Sequence, residues 1–225
     1  MVYGPRWEFP LPEDPTTTVV MRPAQLPNDA EEMACLLQDP VTFDFVSLDH
    51  SPTVAEELKH FEQVGENSNS FRWMVAVQPE GKTEELVGVT SLDQVAGYKY
   101  NRRLTSGILL ASRAWWKHGI ATATHRLRTW HAFQVQGAYA IESGFLSGNL
   151  GSGKALASVG YIQVGRNERW WLKNGQWRDH ILLTCYNPAV LPVLWPEGDV
   201  PEPISEASER TRSALDWAQE VLQPR

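Results

Sequence analysis

The chain has 225 residues, enough for one domain with a sizeable core and too few for two full ones. Its formal charge of −7 weighs against tight, non-specific nucleic-acid binding, which relies on cations to neutralise phosphates. There is no apolar run of membrane-spanning length and no basic-then-apolar leader. Two distant cysteines, Cys35 and Cys185, provide neither a disulfide framework nor a metal set, so a cytoplasmic protein with no membrane or metal partner is expected.

In chain order, residues 1–18 carry Pro5, Pro10, Pro12 and Pro15 and read as an extended N-terminal arm. Residues 19–187 then alternate between strand and helix patterns. Val19 to Arg22 is a short strand, and Asn28 caps a helix running to about Gln38. Thr53 and Glu56 have capping-box spacing at the start of a second helix. Phe71 to Val77 and Leu86 to Leu92 read as strands joined through Pro79-Glu80-Gly81-Lys82, a hairpin signal. Leu104 to Ala111 is the next strand, followed by a helix over Thr122 to Gln134, a strand over Ala138 to Phe145 and a short helix over Gly153 to Val159. A hairpin turning at Asn174-Gly175 leads into Ile181-Leu182-Leu183. Residues 188–225 form a proline-bearing linker and a helix, Ser205 to Leu222, with Ala207, Ala214, Ala218, Val221 and Leu222 mostly on one side. That helix has the reach to pack on its own domain, cover a cleft or lie across a second subunit in a homodimer.

The most informative stretch is Trp116-Lys117-His118-Gly119-Ile120-Ala121, between the Leu104 strand and the following helix. A strand that turns through glycine into a helix leaves several N–H donors without partners, at the positive end of the helix dipole. Such a turn is a pyrophosphate cradle. Gly119 allows close approach of the backbone, and the small Ala121 leaves room beside it. Lys117, His118, His125, Arg126 and Arg128 supply positive charge around the helix.

A rival reading comes from Gly148-Asn149-Leu150-Gly151-Ser152-Gly153-Lys154, which fits the phosphate loop of nucleotide-binding proteins. Ala155 stands where that motif needs a Ser or Thr hydroxyl for Mg²⁺, and no later apolar strand ends in the required acid. Ten tryptophans are present, with Trp115-Trp116 before the cradle and Trp170, Trp171 and Trp177 in the last hairpin. Core and sheet-face packing is the first expectation for each, and an aromatic wall for an acceptor the second.

The order of these elements resembles the GNAT superfamily of acyl-CoA-dependent N-acyltransferases. The glycine turn, Asn149-x-x-Ser152 before a short helix, Gly160-Tyr161 after it and a closing hairpin bearing Asp179 carry the resemblance, which covers roughly Val19 to Asn187. Within the superfamily the chain is most similar to the branch that acetylates ribosomal-protein N-termini and to its many small-molecule relatives, so that protein N-terminus, polyamine, aminoglycoside, amino acid and modified nucleobase all stay open as acceptors. The resemblance implies a mixed, mostly antiparallel α/β sheet with a splayed strand pair and flanking helices. It also implies acetyl-CoA as cosubstrate and an amine-bearing acceptor. By that pattern a backbone N–H of Leu109, Leu110 or Ala111 meets the thioester carbonyl. Trp116, Lys117, His118, Gly119, Ile120, Ala121 and Thr122 hold the pyrophosphate, and Asn149 bonds the pantetheine arm. Ser152 lies near the sulfur as proton donor, and Glu142 and Asp179 are the candidate acid–base carboxylates.

The chain departs from the pattern where many relatives place a glutamate base, having Thr105 and Ser106 there, and where they place a tyrosine, having Leu156. Two alternatives stay open: a degenerate acyl-CoA-binding module and the nucleotide-binding reading of Gly148 to Lys154.

Overall fold

The computed structural model describes residues 3–11, 14–46, 48, 50–66 and 69–222. Their contacts divide the chain into two compact units, Met1–Asp93 with Gly107–Thr124, and Gln94–Ser106 with His125–Arg225. The chain passes between the units within one strand, β5 (Arg103–Leu110), and one helix, α5 (Ile120–Trp130). The strands follow the order β1-β2-β3-β4-β5-β6-β8-β7 in a mixed sheet that is antiparallel except where β5 meets β6.

The first unit holds β1 (Trp7–Leu11), β2 (Asp14–Arg22), α1 (Asn28–Leu36), α2 (Pro40–Phe43), α3 (Val54–Glu66), β3 (Ser70–Pro79) and nearly all of β4 (Glu85–Gln94). The expected extended arm is in fact an edge strand, with Trp7 opposite Met21 and Phe9 opposite Val19. Trp7, Phe9 and Leu11 alternate on one side; Phe9 and Leu11 are buried, and Trp7 stacks on Trp73 at 5.4 Å. Prolines are tolerated here because an edge strand leaves one row of N–H groups unpaired. The core of the unit gathers Ala30, Met33, Leu37, Phe61, Met74, Leu86 and Ala111. Thr53 and Glu56 form the expected capping box: Thr53 N–H donates to Glu56 Oε2 at 2.8 Å, and Glu56 N–H to Thr53 Oγ1 at 3.3 Å. Asn28 does not cap α1. It is the first helical residue, Pro27 occupies the cap, and the Asp29 carboxylate is bound instead by Arg22 in a buried two-point ion pair at 2.7 and 2.9 Å.

The second unit holds α4 (Tyr98–Asn101), β6 (Ala140–Leu146), α6 (Leu150–Ser158), β7 (Ile162–Lys173), β8 (Gln176–Tyr186), α7 (Leu191–Leu194) and α8 (Glu202–Leu222), with most of α5. The parallel ladder between β5 and β6 runs from Arg103↔Ala140 to Thr105↔Glu142 and goes no further, although both strands continue. That is the expected splay. α8 packs inside its own unit and buries Ile204, Ala207, Thr211, Ala214 and Ala218, while Val221 and Leu222 are only half-buried.

Candidate active site

In the first unit, β5 ends against β4. Ala111 and Ser112 both donate their N–H to Val87 O, at 2.8 and 3.2 Å, and Thr42 Oγ1 donates to Ala111 O at 3.0 Å. The Ala111 N–H is therefore spent on the fold and is not available to a thioester carbonyl, which narrows the expectation to Leu109 and Leu110. Leu110 O accepts the Trp116 indole N–H at 2.9 Å, so Trp116 braces the turn with its side chain. The turn contains two residues with left-handed backbone, Lys117 (φ 69°) and Gly119 (φ 79°). It opens into α5 at Ile120, two residues earlier than the sequence pattern indicates.

The first recorded bond of that helix is Ala123 N–H to Gly119 O, at 3.0 Å. The N–H groups of Ile120, Ala121 and Thr122 precede it and have no acceptor within the helix. Ala121 and Thr122 are half-buried, and Lys117 and His118 are exposed beside them. The donor set fits an anionic diphosphate.

The expected ring of charge is smaller than the sequence suggests. His125 and Arg128 are fully buried on the core side of α5 within the second unit. There Arg128 Nη2 donates to Ser106 Oγ at 3.0 Å and to His125 Nδ1 at 2.8 Å. Burial, reinforced by the Arg128 charge, holds the His125 imidazole well below its ordinary pKa. Arg126 is half-buried, with its guanidinium 5.1 Å from the Trp217 ring. Positions 125 and 128 share a helical face with Leu127 beside them, so the periodicity that buries one buries the others. Lys117 and His118 keep their place at the turn.

In the second unit, the end of β6 and the start of α6 adjoin the opening of β8. Asn149 Oδ1 accepts Ser152 N–H at 3.2 Å, making Asn149 the cap of α6. Capping is thus done by Asn149, and the half-buried Ser152 hydroxyl is not the capping group. Gly151 to Lys154 are helical, and two of their amides are engaged at Asn149, Ser152 N–H by its Oδ1 and Gly153 N–H by its backbone O. Ala155 is buried in the same helix and offers no hydroxyl for Mg²⁺, which counts against the nucleotide-binding reading. Leu156 is a core residue.

Glu142 is paired with Arg103 Nε at 2.6 Å, on the parallel ladder itself. Asp179 is held by the Arg166 guanidinium and by Arg169 N–H at 2.8 Å, while its own N–H donates to Ser147 Oγ at 2.9 Å. Those bonds, the Arg169 N–H foremost, keep its carboxyl below the usual range. Both carboxylates have an evident tethering role, Glu142 between β5 and β6 and Asp179 across the β7–β8 hairpin.

Trp170, Trp171 and Trp177 are surface residues, against the packing expectation, and β7 bulges between Asn167 and Trp171. Trp170 stacks on His180, centroids 6.1 Å apart and planes at 30°. His180 was passed over in the sequence. Its signal is its position beside Asp179 at the head of an apolar strand, but which residue of β7 meets it depends on two bulges in that strand.

In the first unit, a strand leading through a left-handed glycine into an open helix N-terminus is the geometry of a diphosphate-binding α/β fold. Residues 18–162 match the family model described as the acetyltransferase (GNAT) domain, and the chain belongs to that family. It is an acyl-CoA-dependent N-acetyltransferase with acetyl-CoA as cosubstrate. A comparison with curated proteins finds no match.

Among solved structures, the fold is similar to Mycobacterium smegmatis RimJ in complex with CoA-disulfide. The TM-score is 0.66 at 19% identity, covering 93% of each chain. The ribosomal-protein-S5-alanine acetyltransferase of Vibrio fischeri gives 0.65 at 18% identity, over 82% of this chain and 97% of that one. The spermidine N-acetyltransferase of Vibrio cholerae, with CoA and spermine, gives 0.63 at 13% identity, over 76% and 95%.

Proposed function

We propose that this protein transfers the acetyl group of acetyl-CoA directly to a primary amine in a ternary complex. The observation that carries the reading is the turn from Trp116 to Thr122, where two left-handed residues deliver the chain into a helix whose first N–H groups have no helical acceptor. In the first unit, those N–H groups with Lys117 and His118 receive the pyrophosphate, and the N–H of Leu109 or Leu110 polarises the thioester carbonyl. In the second unit, the Asn149 carboxamide, already fixed by its capping bond, holds the pantetheine arm, and the Ser152 hydroxyl protonates the departing thiolate.

An amine acceptor is supported by the similar structures, whose names specify an alanine of ribosomal protein S5 and spermidine, both primary amines. Calorimetry with acetyl-CoA and with ATP tests cofactor choice: the first is expected to bind and the second not. Release of free thiol is then followed with a panel of an alanine-initiated peptide, spermidine and free amino acids. Acetyl-CoA binding without turnover of any amine would favour a non-catalytic acyl-CoA-binding module.

A further inference from the structure

We propose that His180 is the general base that takes the proton from the acceptor amine. The proposal rests on the acetyl-transfer reading above and names a residue where the glutamate position of the strand holds only Thr105 and Ser106.

His180 lies on β8, across from Leu146 of β6 and Asn167 of β7. Its ring is stacked on Trp170, and its Nε2 reaches across β6: a Cβ on Gly144 would sit 2.3 Å from that nitrogen. Only glycine at that position leaves room for the imidazole. Among the described residues the His180 side chain has no hydrogen-bond partner, although it is half-buried and fixed on both sides. The stack fixes the ring while its nitrogens stay open to a bound group.

Strand alternation places it on the face of β6 opposite α6. Phe145 faces α6, where it packs against Gly153, whereas Gly144 and Leu146 face the opposite side with His180. A pantetheine arm bound at Asn149 and an amine bound at His180 would reach β6 from its two faces. The carboxylates nearby are already engaged, Glu142 by Arg103 and Asp179 by Arg166. The remaining ionisable groups on the flanking strands are Arg178, Cys185 and Tyr186 on β8 and Glu168, Arg169 and Lys173 on β7.

In the step, the amine nitrogen forms a bond to the thioester carbonyl carbon and the C–S bond breaks with its electron pair on sulfur. The proton lost from nitrogen goes to His180 Nε2, and the sulfur is protonated by Ser152 or water. Burial lowers the His180 pKa from its ordinary value, which leaves the ring neutral and able to accept a proton at neutral pH.

His180→Gln keeps the volume and polarity of the side chain without a titratable nitrogen. With acetyl-CoA and whichever amine of the panel the wild type acetylates fastest, kcat/KM is expected to fall by about 100-fold or more. Acetyl-CoA affinity by calorimetry should stay within about twofold, equivalent to roughly 0.4 kcal/mol. The acid limb of the wild-type kcat/KM profile should vanish in the variant, and added imidazole should restore rate to His180→Ala. A purely structural role would move none of these last two. Full turnover by folded His180→Gln overturns the base while leaving the acetyl-transfer reading intact. So does a loss of rate that tracks melting temperature, keeps the acid limb and is not rescued. A wild type that binds acetyl-CoA yet acetylates no amine overturns the function reading, and this proposal with it.

Discussion

The carbonyl oxygen of Leu109 occupies the space into which a side chain on Gly88 would project, 2.0 Å from where its Cβ would stand. The Cα of Leu110 is 2.9 Å from the same point. Gly88 therefore fixes how closely the end of β5 settles on β4. That end carries the N–H groups proposed to meet the thioester carbonyl.

Gly88→Ala should force the two strands apart where neither can relax cheaply, because Val87 O accepts both Ala111 and Ser112 N–H beside it. Overpacking of this kind costs about 1–3 kcal/mol. The expected outcome is a lower melting temperature together with reduced turnover. Unchanged values for both would show that β5 has more freedom than its bonds to Val87 allow.

The parts of this arrangement that were legible in sequence are local ones. Gly119 and the Thr53–Glu56 box declare themselves because their partners lie within one helical turn. β1 was hidden because its prolines outweigh the alternation of Trp7, Phe9 and Leu11, and the partner that explains the alternation, Trp73, is distant in sequence. Arg128 read as part of the positive charge around the cradle because nothing near it in sequence reveals Ser106 as its acceptor. His180 was hidden for a different reason. Its stacking partner Trp170 lies on a strand whose register is interrupted by bulges at Gln163/Gly165 and Asn167/Trp171 and cannot be counted from the turn.

The turn at Gly119 gives a sharper test of coenzyme binding. Gly119 has φ 79°, so Gly119→Asp adds backbone strain and places a negative charge beside the N–H groups of α5. Gly119→Asn separates the two effects, because asparagine tolerates left-handed backbone and carries no charge. By calorimetry, the Asp variant should lose affinity for acetyl-CoA by about tenfold or more, roughly 1.4 kcal/mol, and the Asn variant considerably less. Equal and undiminished affinity in both would place the pyrophosphate elsewhere.

Asn149 and Ser152 should separate into a stability role and a rate role. Asn149→Ala removes the bond to Ser152 N–H that caps α6 and should destabilise the fold by about 1 kcal/mol. Ser152→Ala leaves that bond in place. It should lower kcat with little change in the acetyl-CoA dissociation constant, the signature of a contact made mainly in the transition state. A Ser152→Ala protein with full kcat would remove the hydroxyl from the mechanism.

Acid should destabilise the protein before its carboxylates titrate. His125 and His131 are buried, and desolvation lowers both pKa values, His131 to about 4. Each must gain a proton more readily when unfolded, so their contribution is fully present above the ordinary histidine pKa. It is lost as pH falls from about 6.5 toward about 4. Melting temperature should therefore be flat above neutrality and decline through that window. His131→Gln should flatten part of the decline, and a curve indifferent to both histidines would refute this assignment.

The C-terminal helix is expected to be part of the fold. Thr211 Oγ1 lies 3.1 Å from Val159 O and 3.2 Å from Ala207 O, within reach of the chain just before Gly160. A Cβ at Gly160 would come 2.1 Å from that hydroxyl oxygen, so α8 closes on a turn that only glycine allows (φ 100°). Farther along, Trp130 Nε1 donates to Gln219 at 3.0 Å, and Arg126 sits over Trp217. Most helical stability in proteins comes from packing of one face, so these contacts sustain α8, and α8 in turn covers buried Cys185, whose thiol is pushed up to about 12. Thr211→Val should cost about 1–2 kcal/mol by leaving a buried carbonyl short of a donor. Truncation after Asn187 should give a destabilised chain with exposed core, detected by dye binding and a lost cooperative melt. A truncated chain that melts like the full one would mean that α8 merely rests on the surface. Loss of a dimer in light scattering, with the melt unchanged, would instead assign it to a second subunit.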